Sequence, residues 1–153
     1  SCTDPDALIQ MHCVDVNVLV QACVAASPRH ALARSWLLDH RAEPEGLGLF
    51  SVVVSGFLRV ATDRRVFSEP LDPAGAVGFV DSLLTSPAVS ILDPGPRHWG
   101  LFRRLVLDYR PSSVDMTDVY LAAAALEVNA TWVSFDRGFS RFKELRWLNP
   151  ADL

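Results

Sequence analysis

The stretch "MHCVDVNVLVQACVAA", residues 11–26, changes character at its fifth residue. Met11 to Val14 is a short apolar run of the kind a buried strand makes, and Asp15 closes it. From Val16 onward the residues are apolar and alanine-containing, which suits a helix stopped before Ser27-Pro28, because the residue before proline is pushed out of the helical region. A strand that ends on an aspartate and runs straight into a helix is an α/β opening. The stretch "TWVSFD", residues 131–136, repeats the first half of it: a β-rich run delivering Asp136.

Between these two units the chain keeps alternating. "RHALARSWLLDH" (29–40) spaces its apolar residues for a second helix, and a loop with Pro44, Gly46 and Gly48 follows. "SVVVSGFLRVAT" (51–62) reads as a helix capped by Ser51, with Gly56 in its middle at a cost of about 1 kcal/mol relative to alanine. Asp72 caps a helix that has Pro73 at its first position and runs to about Leu84. "AVSIL" (88–92) is a strand and "PRHWGLFRRLVLDY" (96–109) an amphipathic helix. Thr117 is expected to cap a helix from Asp118 to about Val128, and "LRWL" (145–148) is a last short strand. Strands alternating with helices imply an α/β sandwich with a mainly parallel central sheet.

The chain has 153 residues, half of them hydrophobic and 21% charged, enough to bury a proper core. Residues 1–10 look like an N-terminal extension, because regular pattern begins at Met11. No apolar run approaches the roughly 20 residues a membrane span needs, and no basic-then-apolar leader opens the sequence, so the expected placement is cytoplasmic, away from any membrane. Cys2, Cys13 and Cys23 show no ligand spacing, and the last two are expected in the core. The four histidines are scattered, and the four tryptophans sit in apolar patterns that suggest core positions. No Walker loop, dinucleotide-binding glycine pattern or nucleophile elbow is present. The net charge is −4, yet residues 97–110 hold Arg97, Arg103, Arg104 and Arg110 against Asp108 alone, and residues 137–146 hold Arg137, Arg141, Lys143 and Arg146 against Glu144 alone. Arginine is the side chain that holds phosphate bidentately.

Ligands of such sheets bind beyond the carboxyl ends of the strands, where Asp15 and Asp136 both fall. Asp118, at a helix start, is a third carboxylate for that edge. Each taken singly also reads as a turn or first-turn acid, and Asp115 reads as a loop acid. Together they form a cluster whose repulsion a hard cation, Mg²⁺ or Mn²⁺, would relieve. Asn17 is placed either to start a helix or to orient Asp15. Metal held by these carboxylates would lower the pKa of a bound water.

Taken together, "CVDVNVLV", "SVVVSGFLRVAT", "DPGPRHWGLFRRL", "TDVYLAAAALE" and "ATWVSFDRGFSRFKELRWLNP" resemble the VapC-type toxins of the PIN-domain ribonucleases, over nearly the whole chain from Met11 to its end, as one domain of residues 11–153. The resemblance implies a three-layer α/β/α sandwich and a Mg²⁺- or Mn²⁺-dependent endoribonuclease that cuts tRNA or rRNA. It also implies a VapB-type antitoxin partner, a homodimer and larger assemblies with the antitoxin. The apolar helices of residues 16–38 and 51–60 are the groove it suggests for that partner. The family's acidic residues map onto Asp15, Asp118 and Asp136, and its remaining glutamate onto Gly56, which implies a weakened or absent activity. Arg59, Arg137 and Arg141 are the candidates for holding RNA phosphates. Two other readings stand beside this one. In the first the domain binds antitoxin or RNA without cutting. In the second it is a phosphohydrolase with Asp15 as nucleophile, which lacks a second aspartate at Asn17 and has no lysine but Lys143.

Overall fold

Leu47–Phe50, three apolar residues and a glycine, form the strand that joins one edge strand of the sheet to its central strand. The computed structural model describes residues 10–153, so the expected extension lies almost wholly outside the described residues, Cys2 with it. Within them run β1 (His12–Val14), α1 (Val16–Cys23), α2 (His30–His40), β2 (Leu47–Phe50), α3 (Ser51–Ala61) and α4 (Pro73–Leu84). Then come β3 (Val89–Leu92), α5 (His98–Tyr109), α6 (Met116–Glu127), β4 (Thr131–Val133) and β5 (Trp147–Leu148). Short 3₁₀ turns occupy Arg137–Arg141 and Pro150–Asp152.

The five strands lie in the order β3-β2-β1-β4-β5, every neighbouring pair parallel. From β1 the chain winds outward through β2 to β3, then returns to lay β4 on the other side of β1. Right-handed crossovers therefore put α1 to α4 on one face and α5 with α6 on the other, which makes three layers. The reversal falls between β1 and β4, and an open α/β sheet binds its ligands at such a point.

β2 was expected as loop because Gly46 and Gly48 look like loop punctuation. Gly48 is in fact a packing requirement. A Cβ there would stand 2.8 Å from the Cys13 Sγ on β1 and 2.7 Å from Leu92 Cδ1 on β3. Glycine lets three strands and their covering side chains close up. Other boundaries also move. α1 ends at Cys23, and α3 begins without a side-chain cap, because the Ser51 hydroxyl is spent on Asp93. α6 starts at Met116 with Asp115 at its cap position, so Thr117 lies inside the helix. Asp72 caps α4 as expected, accepting from the Gly75 N–H at 2.8 Å, with Pro73 at the first position.

The core centres on Trp132, Phe50, Phe57, Phe139 and Leu19, all fully buried. Cys13 and Trp36 are in it, Cys23 is half-buried, and Trp99 stands 67% exposed, on the outer side of α5. The turn before α5 is clamped from α6. The buried Glu127 carboxylate accepts from the main-chain N–H of Gly95 and Arg97, at 2.6 and 2.8 Å, and Arg97 returns a bond to the Glu127 carbonyl at 2.6 Å. Among the described residues no helix is long and apolar enough to cross a membrane.

Gly48→Ala is expected to cost about 1–3 kcal/mol of folding stability through overpacking, read as a lower urea midpoint at unchanged slope. Pairing it with Cys13→Ala, which removes one of the two obstructing atoms, should return part of that loss.

Candidate metal centre

Both strands that flank the reversal end in an acid. Asp15 follows β1 directly and caps α1, its Oδ1 accepting from the Val16 N–H at 2.8 Å. Asp136 lies three residues beyond β4 and caps the following 3₁₀ turn, its Oδ1 accepting from the Gly138 N–H at 2.8 Å. Asp118 sits in the first turn of α6, whose N-terminus reaches the same sheet edge. The three carboxylates feel one another: Asp118 and Asp136 both disfavour charge on Asp15, and Asp136 does so on Asp118.

Sequence reasoning passed over the residue that joins them. Ser134, fully buried one residue past β4, donates its hydroxyl to Asp15 Oδ2 at 2.7 Å. The same Oγ accepts from the Asp136 main-chain N–H at 3.0 Å and from Asn17 Nδ2 at 3.1 Å. One hydroxyl thus fixes two carboxylates relative to each other. Asn17 closes the arrangement. Its Oδ1 accepts from the Phe135 N–H at 3.2 Å, and its Nδ2 reaches Asp15 Oδ2 at 3.5 Å. The only sequence signal for Ser134 was its place two residues before Asp136.

The expected basic residues part company. Arg141 reaches the cluster, with Nη2 3.6 Å from Asp118 Oδ2 and Nη1 donating to the Gly138 carbonyl at 2.6 Å. Arg137 turns to Asp152 instead, in a two-pronged pair at 3.0 and 2.8 Å. Arg59 is exposed at the rim of an open depression of about 220 Å³ shared with Gly56, Val16, Ser55 and Thr117. Asp115 stays beside the cluster and accepts from the Ser112 hydroxyl at 3.3 Å. Gly56 faces α1: a Cβ there would come within 2.9 Å of Val16 Cγ2. Valine is stiff about its first torsion, so any larger residue at 56 must push Val16 aside.

Burial is the main cost of this arrangement. It pushes the Asp15 carboxyl from its ordinary 3.8 up to about 6, with Asp118 and Asp136 adding to the rise and the bonds from Ser134 and Val16 opposing it. Burial likewise raises Asp118, with Asp136 adding and Arg141 opposing. An all-oxygen donor set under mutual repulsion fits a hard divalent cation in kind and in charge. Among the described residues no three His, Cys, Asp or Glu side chains already stand in a closed ligand arrangement, so a cation would draw them inward or complete its shell with water.

A PIN domain family model matches residues 12–145. Ribonuclease VapC43 of Mycobacterium tuberculosis is 51% identical over 142 residues, which span 93% of this chain and 97% of that protein. Ribonuclease VapC33 of the same organism is 37% identical over 136 residues, 89% of this chain and 95% of that one. Among solved structures, VapBC2 from Rickettsia felis bound to a DNA fragment from their promoter aligns with a TM-score of 0.66 at 17% identity, over 92% of this chain and 98% of that one. Mycobacterium tuberculosis VapC20, described as a sarcin-ricin loop cleaving toxin, aligns with a TM-score of 0.62 at 15% identity, over 86% and 95%.

The Asp15 shift has a definite sign. The folded chain binds that proton more tightly than the unfolded chain, so the stabilisation is full below about pH 4 and is lost as pH rises through about 6. In EDTA, Asp15→Asn should gain on the wild type by about 2 kcal/mol between pH 4.5 and pH 7.5, followed by urea unfolding at each pH.

Proposed function

This chain belongs to the PIN-domain family, and on that footing we propose that it is a divalent-metal-dependent endoribonuclease, the toxin of a VapBC-type toxin–antitoxin pair. The observation that carries the reading is the meeting of Asp15, Asp118 and Asp136 at the point where the sheet order reverses, each able to feel the others' charge. Its 51% identity to a protein named as a ribonuclease, over nearly the full length of both, supports the same conclusion.

Asp15, Asp118 and Asp136 are the residues that would hold Mg²⁺ or Mn²⁺. Such a cation supplies neutralisation of phosphodiester charge and a lowered pKa for water. The chain's own contribution is position. Ser134 and Asn17 hold Oδ2 of the Asp15 carboxylate, and the turn at Gly138 anchors the Asp136 side chain. Arg59, exposed at the depression beside Gly56, is placed to meet phosphates flanking the cut. Arg137, with its fork occupied by Asp152, is the weaker candidate for that task.

The substrate we propose is structured RNA, tRNA or rRNA, the class to which the sarcin-ricin loop cut by VapC20 belongs. A VapB-type antitoxin is the proposed protein partner, seated on the apolar helices between Val16 and Leu38 and between Ser51 and Val60. A second copy of the chain is the proposed cover for the exposed aromatic side of α5 around Trp99 and Phe102, in a homodimer that enters the larger antitoxin complex.

Gly56 leaves the cluster one carboxylate short, and this favours a second reading, in which the domain binds RNA or antitoxin without cutting. Cleavage decides between them. The purified chain with Mg²⁺ or Mn²⁺ should cut total RNA at discrete sites, and Asp15→Asn, Asp118→Asn and Asp136→Asn should each lower the rate at least a hundredfold; no cutting by the wild type would support the non-catalytic reading. The missing glutamate needs a paired test, because Gly56→Glu alone must displace Val16 at a cost of about 1–3 kcal/mol in stability. Val16→Ala with Gly56→Glu should fold normally and cut faster than Val16→Ala alone; equal rates would show that three carboxylates suffice.

A further inference from the structure

We infer that Arg141 supplies the second positive charge of the acidic centre, so that the site takes one divalent cation rather than two. This rests on the ribonuclease reading above.

Arg141 is pinned. Nη1 donates to the Gly138 carbonyl at 2.6 Å, and the guanidinium carbon lies 4.4 Å above the ring of the buried Phe142. These contacts hold Nη2 at 3.6 Å from Asp118 Oδ2, close enough for charge attraction but long for a hydrogen bond. Nη2 is nevertheless shut off from solvent and has no other partner. A buried guanidinium nitrogen with idle hydrogens is costly, and nothing in the turn itself needs it there. Its hydrogens are free to meet an acceptor that arrives at the cluster, and a non-bridging phosphate oxygen is the acceptor that the guanidinium fork suits.

Charge bookkeeping agrees. Asp15, Asp118 and Asp136 bring three negative charges when ionised, and the Arg141 guanidinium brings one positive charge. The remainder, minus two, matches a single divalent cation. A fourth carboxylate would make room for more positive charge, but at Gly56 its Cβ would come within 2.9 Å of Val16 Cγ2. In two-metal centres the second ion clamps the charge on the phosphate oxygens. Here a fixed guanidinium stands in that role. Neither other arginine could take it, since Arg137 is engaged by Asp152 and Arg59 lies at the exposed rim.

The test reads metal binding without RNA, so its outcome is independent of whether the chain proves to be a ribonuclease. Metal-free full-length chain is titrated with Mn²⁺, with free Mn²⁺ followed by electron paramagnetic resonance and heat by calorimetry. The wild type should bind one Mn²⁺ per chain. Arg141→Gln, with the neighbouring like charge gone, should bind its first Mn²⁺ at least threefold more tightly and admit a second. Arg141→Lys, which retains the charge, should match the wild type and also serves if the glutamine variant folds poorly. In a parallel RNA assay both variants should lose at least tenfold in kcat, the lysine because a point charge does not reproduce the fork. Two Mn²⁺ per wild-type chain, no Mn²⁺ at all, or an unchanged affinity in Arg141→Gln would each overturn the inference, and in a chain that cuts RNA so would a kcat within twofold of wild type.

Discussion

Like charges forced together at one edge of the sheet set the terms for the rest of this molecule. The parallel pairing of β1 with β4 brings the ends of two strands side by side, and each end delivers an aspartate. Left to themselves the carboxylates would separate or take up protons. Ser134 prevents the first, because its one hydroxyl bonds Asp15 and the Asp136 backbone at once. The second is resisted only in part, and the raised Asp15 carboxyl records how far burial wins over hydrogen bonding. Stability must come from elsewhere. It comes from the interior below the edge, where Trp132, Phe50, Phe57 and Leu19 are completely enclosed, each large buried side chain contributing about 1.5–3 kcal/mol. The core carries a site that costs energy to hold at neutral pH.

How much of this could be read in the sequence follows from the range of the interactions involved. Features fixed by neighbours along the chain were legible: the switch from strand to helix at Asp15, the Asp72-Pro73 start of α4, the strands that deliver Asp15 and Asp136. Features fixed by distant residues were not. Leu47–Phe50 looked like loop because the reason for Gly48 lies on two other strands, at Cys13 and Leu92. Ser51 seemed a cap until Asp93, far along the chain, claimed its hydroxyl. Ser134 was marked only by its place two residues before Asp136, since a serine after a strand says little until its partner 119 residues away is beside it. Trp99 was misplaced for another reason. Its amphipathic helix has two faces, and periodicity alone does not say which of them carries the aromatic residue outward.

Some of the motifs that most resemble the family turn out to hold the fold rather than do chemistry. The "DPGPRHW" segment owes its shape to Glu127, which satisfies two main-chain N–H groups of the turn before α5, while His98 is buried with Nε2 2.9 Å from the Tyr120 carbonyl. A buried carboxylate with both oxygens bonded to backbone donors is a stable arrangement, and it fixes α5 against α6 so that Asp118 arrives at the sheet edge in the right place. Two sorts of buried or half-buried carboxylate can therefore be told apart here. Glu127 is satisfied by donors and shows what a structural carboxylate looks like. Asp15 and Asp118 are crowded by other carboxylates, which is the condition a cation relieves.

Gly56 belongs to the same logic of space and charge. Read as sequence, it is an absent ligand, a position where the cluster lacks a side chain. In the folded chain the vacancy is already taken, because Val16, the residue next to Asp15, packs into the space a Cβ would use. Glycine costs α3 about 1 kcal/mol in helix propensity. Overpacking against Val16 would cost about 1–3 kcal/mol, so the packing term outweighs the propensity term and glycine is the residue this helix contact requires. The missing charge and the tight contact are one feature seen from two sides. A helix that approaches Val16 so closely makes any side chain at position 56 displace that valine before a fourth carboxylate can enter. The packing of α3 on α1 thus bears on the charge at this sheet edge as directly as the acids themselves do.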